Sequence, residues 1–230
     1  YNNASQKGKV IYVGSLAGIL PAGPGHSHQS VRDFTCMLGM PGMTIIEPVN
    51  ANQVALALKW AVENNSESTY IRLTSIPFQQ TELLHSIDTL DHGKGEVLNP
   101  GKDITLITYG PIFSFIAGEV AEILKDNDIS LNIISTPWIN KIDLGWLEEV
   151  IGETKMIVTL ENHYTESGVG SLYISNMASA GLLMNKKTLN IGIEELPQCG
   201  RNEEVLEYHG LTAKQIAERI IIKFNGARVC

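Results

Sequence analysis

What this chain lacks narrows its class first. Its 230 residues contain no apolar run near the ~18 residues that a membrane-spanning helix needs. The opening stretch, Tyr1-Asn-Asn-Ala-Ser-Gln-Lys7, has no apolar core of the signal-peptide kind. It starts without Met, as a processed or cut chain does. Basic residues are few, 17 against 25 acidic, for a formal charge of −8. No long Lys/Arg cluster exists, so neither nucleic acid nor a membrane surface is an expected partner. Cysteine is scarce: Cys36, Cys199 and Cys230 are far apart and odd in number. That fits reduced thiols in a cytoplasmic protein rather than a disulfide scaffold. No Gly-x-Ser-x-Gly elbow, Walker loop or Gly-x-Gly-x-x-Gly is present, which removes serine-hydrolase and nucleotide-loop readings.

What is there is an alternation of short β-rich runs and amphipathic runs. Apolar residues at 43% and charged residues at 18% are ordinary for a globular chain with a real core. In a first block, Lys9–Gly14, Met43–Glu47 and Thr69–Thr74 read as strands, and Ser30–Leu38 as a helix. Asn50 followed by Gln53 is a helix-start signal, and Val54, Leu58, Ala61 and Val62 recur at helical spacing behind it. In a second block, Asp103–Tyr109, Leu131–Ile134, Met156–Leu160 and Thr188–Gly192 read as strands. Ile112–Lys125, Leu144–Ile151 and Gly168–Ala180 read as helices, and a last helix follows the Thr212/Gln215 cap signal. The predicted fold is α/β: two mostly parallel sheets with helices on both faces. The expected division is 1–80, a linker over 81–101, and 102–230. The first block is small for this architecture. Three strands and two helices leave one sheet edge and part of one face open, so this is a partial domain or another chain completes it.

The most unusual stretch is Gly23-Pro-Gly-His-Ser-His-Gln-Ser-Val31, which leaves the first strand. Ligands in open α/β sheets bind outside the carboxyl ends of strands, and imidazoles there can donate hydrogen bonds or move protons near neutral pH. A solvated loop with incidental histidines is the plain alternative. His26 and His28, two apart, could also reach one metal ion. Further ligands would then have to come from afar, and His85, His92, His163 and His209 show no ligand spacing, so no metal site is expected. Arg72 inside an apolar strand either binds an anion or pairs with an internal acid. Glu161–Gly170 reads as a strand-to-helix turn with an interface role.

Gly23–Asp33 followed by Met40-Pro-Gly-Met-Thr-Ile-Ile-Glu-Pro48 resembles the transketolase family. So do Thr136-Pro-Trp-Ile-Asn-Lys-Ile-Asp143 and Thr159–Gly170, and the resemblance runs from about Lys9 to Ile222. It implies a partial pyrimidine-binding domain over 1–80 and the family's C-terminal domain over 102–230. It also implies thiamine diphosphate and magnesium, transfer of a two-carbon ketol unit, and an active site between subunits. The family's diphosphate motif and its activating glutamate have no counterpart here. The cofactor is therefore expected on an upstream region or an N-terminal partner chain, with a second copy of this chain as a further partner. The family's loop histidine falls at His28 counting back from Pro41 and at His26 counting forward from Gly23-Pro24. His28 is preferred, and either would contact a sugar-phosphate or ketoacid substrate. A family aspartate is replaced by Ala22. The family's substrate-phosphate arginine falls at Ser75, and Arg72, read as sharing its strand face, would substitute only with a backbone shift. Alternatives within the resemblance are enzymes like deoxyxylulose-phosphate synthase or the beta subunit of 2-oxoacid dehydrogenases. A non-catalytic partner or regulatory module is the alternative of another class.

Overall fold

The computed structural model describes residues 1–79 and 81–226; Cys230 and the end of the predicted 102–230 unit lie outside them. The elements run α1 (Asn2–Ser5), β1 (Ile11–Gly14), α2 (Asp33–Leu38), β2 (Thr44–Ile46), α3 (Ala51–Glu63), β3 (Thr69–Arg72), α4 (Glu82–Ser86) and β4 (Glu96–Asn99). Then follow β5 (Ile104–Thr108), α5 (Pro111–Lys125), β6 (Leu131–Ser135), α6 (Leu144–Ile151), β7 (Met156–Tyr164), α7 (Val169–Ser179), β8 (Lys187–Ile193), α8 (Asn202–Tyr208) and α9 (Ala213–Phe224). They build a three-stranded parallel sheet in the order β1-β3-β2 and a five-stranded sheet in the order β4-β6-β5-β7-β8. The larger sheet is parallel except for β4. The α/β expectation with two mostly parallel sheets therefore holds. No helix among the described residues is long and apolar enough to cross a membrane.

The larger sheet is covered on both faces. β5 and β6 are buried along their whole length, as strands between two helix layers must be. On one face α5 presents Phe113, Ala117, Val120 and Leu124, and α9 adds Ile216 and Ile220. On the other, Leu147 and Ile151 of α6 pack with Tyr173 and Met177 of α7. Gly110 opens α5 in the left-handed region (φ 66°), where a side chain would also strike the Glu47 carboxylate.

The smaller sheet has unequal edges. β2 is sealed by chain that follows β6: Glu47 N donates to Pro137 O (2.9 Å) and Ile139 N to Ile45 O (3.0 Å). The Asn140 side chain completes this edge, accepting from Ile45 N at 2.9 Å and donating to Met43 O at 2.7 Å. Among the described residues β1 pairs only with β3, and Tyr12 and Val13 on it are exposed. The Asn50 side chain caps α3 by accepting from Gln53 N, as the sequence signal implied. Its apolar face does not behave as expected. Gln53, Ala57 and Ala61 are buried, whereas Leu58 is 47% and Val62 56% exposed. Of the predicted stripe, Leu58 and Val62 face outward while Ala61 is buried and Val54 half-buried, so the buried face is turned away from the largest side chains.

The linker expectation over 81–101 needs correction. Glu96–Asn99 forms β4, the antiparallel edge of the larger sheet. Its register slips between Val97 and Asn99, and this irregular, part-exposed pairing left no alternation for the sequence to display. Helix α8 was also unforeseen, because Val205 is its one buried side chain.

Candidate functional site

The loop from Gly18 to Ser30 leaves the carboxyl end of β1 and carries both histidines. Its base closes through Gly18 N donating to Ser30 O at 3.1 Å. The Gln29 amide, buried, donates to Ile19 O (2.9 Å) and to Gln198 O (3.0 Å). Ala22 N donates to Asn202 Oδ1 (3.0 Å), and the Cys199 thiol to Gly23 O (2.9 Å). The loop is thus clamped to the region around α8. His26 and His28 themselves are exposed. Among the described residues, their rings make one side-chain hydrogen bond, His28 Nδ1 with Ser27 Oγ at 2.9 Å. The geometry leaves both rings free to meet a ligand and does not choose between them.

Beneath this loop lies a buried ionic cluster. Arg72 is fully buried, and all five of its N–H donors are engaged. Nε donates to Asp33 Oδ2 (2.7 Å), and Nη1 to Glu47 Oε2 and Asn162 Oδ1 (both 2.6 Å). Nη2 donates to Ser30 O (2.6 Å) and Asp33 Oδ1 (3.3 Å). The guanidinium also stands 4.3 Å over the Phe34 ring. The expectation that Arg72 binds substrate is therefore corrected. No donor remains, and the side chain is internal. The reading of Arg72 and Ser75 as sharing a strand face also falls, because β3 ends at Arg72 and Ser75 is not on it. Ser75 lies exposed just past β3. Ala22 is fully buried.

The titratable groups respond to this burial. Burial pushes Glu47 above the ordinary carboxylate range, against the pull of Arg72. Asp33, 13% exposed and bonded also by the Tyr70 hydroxyl (2.8 Å), is lowered: burial raises it, but Arg72 and these hydrogen bonds outweigh that. His163 stacks on Phe34 at 5.1 Å, and burial holds it down at about 4. Its Nε2 has no hydrogen-bond partner, with Asp33 Oδ1 3.9 Å away. Glu161, pushed by burial up to about 8, accepts from Val169 N (2.8 Å) and Gly170 N (3.2 Å) at the start of α7. Gly170 packs on Glu161 and Thr159 with no room for a Cβ. The expected Glu161–Gly170 turn is shorter than read: β7 runs through Tyr164 and α7 starts at Val169, so Glu161 and Asn162 stand on the strand, Glu161 accepting from the start of α7 and Asn162 facing Arg72.

In the larger sheet, the crevice outside the carboxyl ends of β5 and β7 is the place where such sheets bind ligands. Here chain from the first block fills it. Gly18 lies against Asn162, and Tyr164 N donates to Val31 O at 3.1 Å. A separate cleft of about 390 Å³ opens where β2 and β3 end, lined by Pro48, Asn50, Leu73, Thr74, Phe78 and His85. Neither histidine of the loop lines it. Among the described residues, no group of three or more His, Cys, Asp or Glu could hold a metal ion. Cys36 and Cys199 are unpaired and exposed.

Sequence reasoning found Arg72 but missed Asp33, Glu47 and Asn162. The one available signal was Arg72 itself, since a charge in an apolar strand requires buried counter-charges.

The comparisons with known proteins agree with this architecture. The family model for the transketolase pyrimidine binding domain matches residues 1–77, and that for the transketolase C-terminal domain matches residues 93–216. The chain belongs to the transketolase family and corresponds to its C-terminal half. A Methanocaldococcus jannaschii protein named as a transketolase C-terminal section is 34% identical over 223 residues, covering 95% of this chain and 67% of the relative. The 1-deoxy-D-xylulose-5-phosphate synthase of Clostridium botulinum is 30% identical over 220 residues, covering 94% of this chain but 34% of the synthase. A split-gene transketolase, solved as an inactive beta4 tetramer, superposes with a TM-score of 0.76 at 25% identity, over 96% of this chain and 68% of that one. A Pichia stipitis transketolase in complex with sedoheptulose-7-phosphate gives 0.71 at 19% identity, over 92% and 29%.

Proposed function

We propose that this chain is the C-terminal part of a thiamine-diphosphate-dependent, transketolase-like transferase. An N-terminal section or partner chain holds the diphosphate and magnesium. The observation that carries this reading is the histidine loop. It is tied down at its base and flank, yet presents both imidazoles to solvent at the carboxyl end of β1. The bound cofactor would supply the covalent chemistry at the donor carbonyl. The part left to this chain is recognition. A neutral imidazole offers one donor and one acceptor, which suits a substrate hydroxyl or carbonyl. His28 is the first choice for that role, His26 the second. Ser75, exposed just past the carboxyl end of β3, is the further substrate-side residue of this reading.

The exposed apolar stripe of α3 and the unpaired edge of β1 support a partner on that side. By this reading the chain alone neither binds the cofactor tightly nor turns over substrate. Calorimetry of thiamine diphosphate and magnesium, with the chain alone and then mixed with its N-terminal half, is the deciding measurement. Binding in the mixture alone supports a shared site, and tight binding to the chain alone overturns it. In an active mixture, His28→Ala should lower turnover sharply, and unchanged turnover removes that role. Ketose phosphate against pyruvate as donor then separates a transketolase-like reaction from those of the synthase or dehydrogenase kind.

A second reading rests on Ala22. This side chain is fully buried, where the family resemblance implies an aspartate on the substrate. A non-catalytic partner would keep the fold without that contact. It requires that the complete mixture neither bind cofactor nor turn over.

A further inference from the structure

We propose that Arg72 is a positioning residue, which aligns the His26–His28 loop with the strand ends and with the C-terminal domain. The catalytic consequence rests on the proposed role of the histidines; the alignment itself does not. Neither ring is fixed by its own contacts, since His28 meets only Ser27 and both are exposed. Their placement must come from the loop's anchors. One anchor is Asn202 with Gln198 and Cys199 on the flank. The other is Arg72, which grips the loop exit at Ser30 O and at Asp33, the first residue of α2.

The same guanidinium holds Glu47 at the end of β2 and Asn162 at the end of β7. It therefore joins the loop, the smaller sheet and the larger sheet at one planar group. A fork with five donors in fixed directions sets an angle as well as a distance, which an ammonium cannot do. Because Ser30 accepts through its backbone, movement of the guanidinium moves the main chain of the loop. The prediction follows that the geometry of the fork matters here beyond its charge.

The test uses the full chain labelled with 13C-histidine, with the ring signals of His26 and His28 assigned from the two alanine variants. In Arg72→Lys, which keeps the charge, those two signals should shift or broaden, while His92, held between Trp60 and Trp138, stays in place. His163 lies beside Arg72, and His209 accepts from the loop anchor Gln198, so neither is counted. Glu47→Gln, which weakens one partner of the guanidinium at the end of β2, should move the same two signals less. If Arg72→Lys does not fold, Glu47→Gln carries the test. A folded variant with lowered thermal stability but unmoved His26 and His28 signals overturns the proposal and leaves Arg72 a stability residue. In the active assembly, Arg72→Lys should reduce kcat about 10- to 100-fold with little change in KM, as misplacement of a contact group does. Moved ring signals with unchanged kcat would leave the alignment standing and overturn the role proposed for the histidines. Unmoved signals overturn the alignment whatever the turnover.

Discussion

The two sheets differ in how they meet solvent. The five-stranded sheet carries helices on both faces, with an apolar core from Ile104 to Ile220. The three-stranded sheet is sealed on its β2 edge, open on its β1 edge, and covered by a helix that shows Leu58 and Val62 to water. Where the two sheets meet, a charged cluster of Arg72, Asp33, Glu47 and Asn162 is set into shared apolar packing, in which Phe34, Ile45 and Tyr70 join Ile107, Tyr109 and Ile139. The larger sheet shares its core with first-block residues such as Ile19, Val31 and Phe34. The smaller one holds the histidine loop, and among the described residues its β1 edge and the Leu58–Val62 side of α3 stay uncovered.

The strongest way to break that picture is to remove the charge at the seam. Arg72→Met leaves two carboxylates without their cation, Glu47 fully buried and Asp33 nearly so. The expected loss is about 3–5 kcal/mol in denaturant unfolding. The exposed pair Lys155–Asp103 is the control: Lys155→Met should cost under about 1 kcal/mol. Equal losses would mean that the seam is no more than a surface contact.

Matched apolar truncations compare the two helices. Leu124 in α5 is fully buried, so Leu124→Ala should cost about 2–5 kcal/mol. Leu58 in α3 is 47% exposed, so Leu58→Ala should cost the isolated chain less than about 0.5 kcal/mol. Association with the N-terminal half reverses the ranking of interest, because Leu58→Ala should weaken it. A large loss from Leu58→Ala in the chain alone would show that α3 already has its cover.

These contrasts also explain what could be read in the sequence. Buried parallel strands advertise themselves as apolar runs, so β5, β6 and β7 stood out. Helix α6 was legible end to end, because Leu147 and Ile151 repeat at its buried face and Asp143 caps it. The direction of α3 was not legible. Hydrophobicity marks a face, but here Gln53, Ala57 and Ala61 are buried while Leu58 and Val62 stay exposed. The seam was hidden for another reason. Arg72 meets Asp33, Glu47 and Asn162 across 39, 25 and 90 residues, and no local period records such distances. The histidine loop was visible by composition, whereas the choice between its two rings depends on a ligand.

Acidity should act on the seam from two sides. His163 falls from 6.5 to about 4, so the folded state binds fewer protons than the unfolded chain between those values. Stability from His163 is therefore lost as pH falls from 6.5 towards 4. Glu161 rises from 4.5 to about 8, so the folded state there binds more protons, and stability is lost as pH climbs from 4.5 towards 8. Each slope is at most about 1.4 kcal/mol per pH unit, and in the shared window they oppose. Glu161→Gln should flatten the alkaline side above pH 6.5, and His163→Gln the acid side. A wild-type profile that stays flat from pH 6.5 to 8 would contradict the burial of Glu161 as a protonated cap.

The smallest effect compares two helix caps. Thr212 accepts from Gln215 N at the start of α9 and donates to the side chain of the same residue. Thr212→Ala should cost about 1 kcal/mol. Asn50 accepts from Gln53 N in the same way, but its amide also donates to Leu84 O (2.6 Å) and Ile87 O (2.8 Å). It thus ties α3 to the stretch leading to the larger sheet. Asn50→Ala should exceed Thr212→Ala by roughly 1 kcal/mol, because buried carbonyls lose their donor. Asn50→Asp divides the two roles, since a carboxylate still caps the helix but donates to nothing. If Asn50→Asp is as stable as wild type, the cap alone matters, and the tie between the smaller sheet and its linker carries no measurable stability. If it falls between wild type and Asn50→Ala, both roles of Asn50 contribute, and the smaller sheet leans on the linker as well as on Arg72.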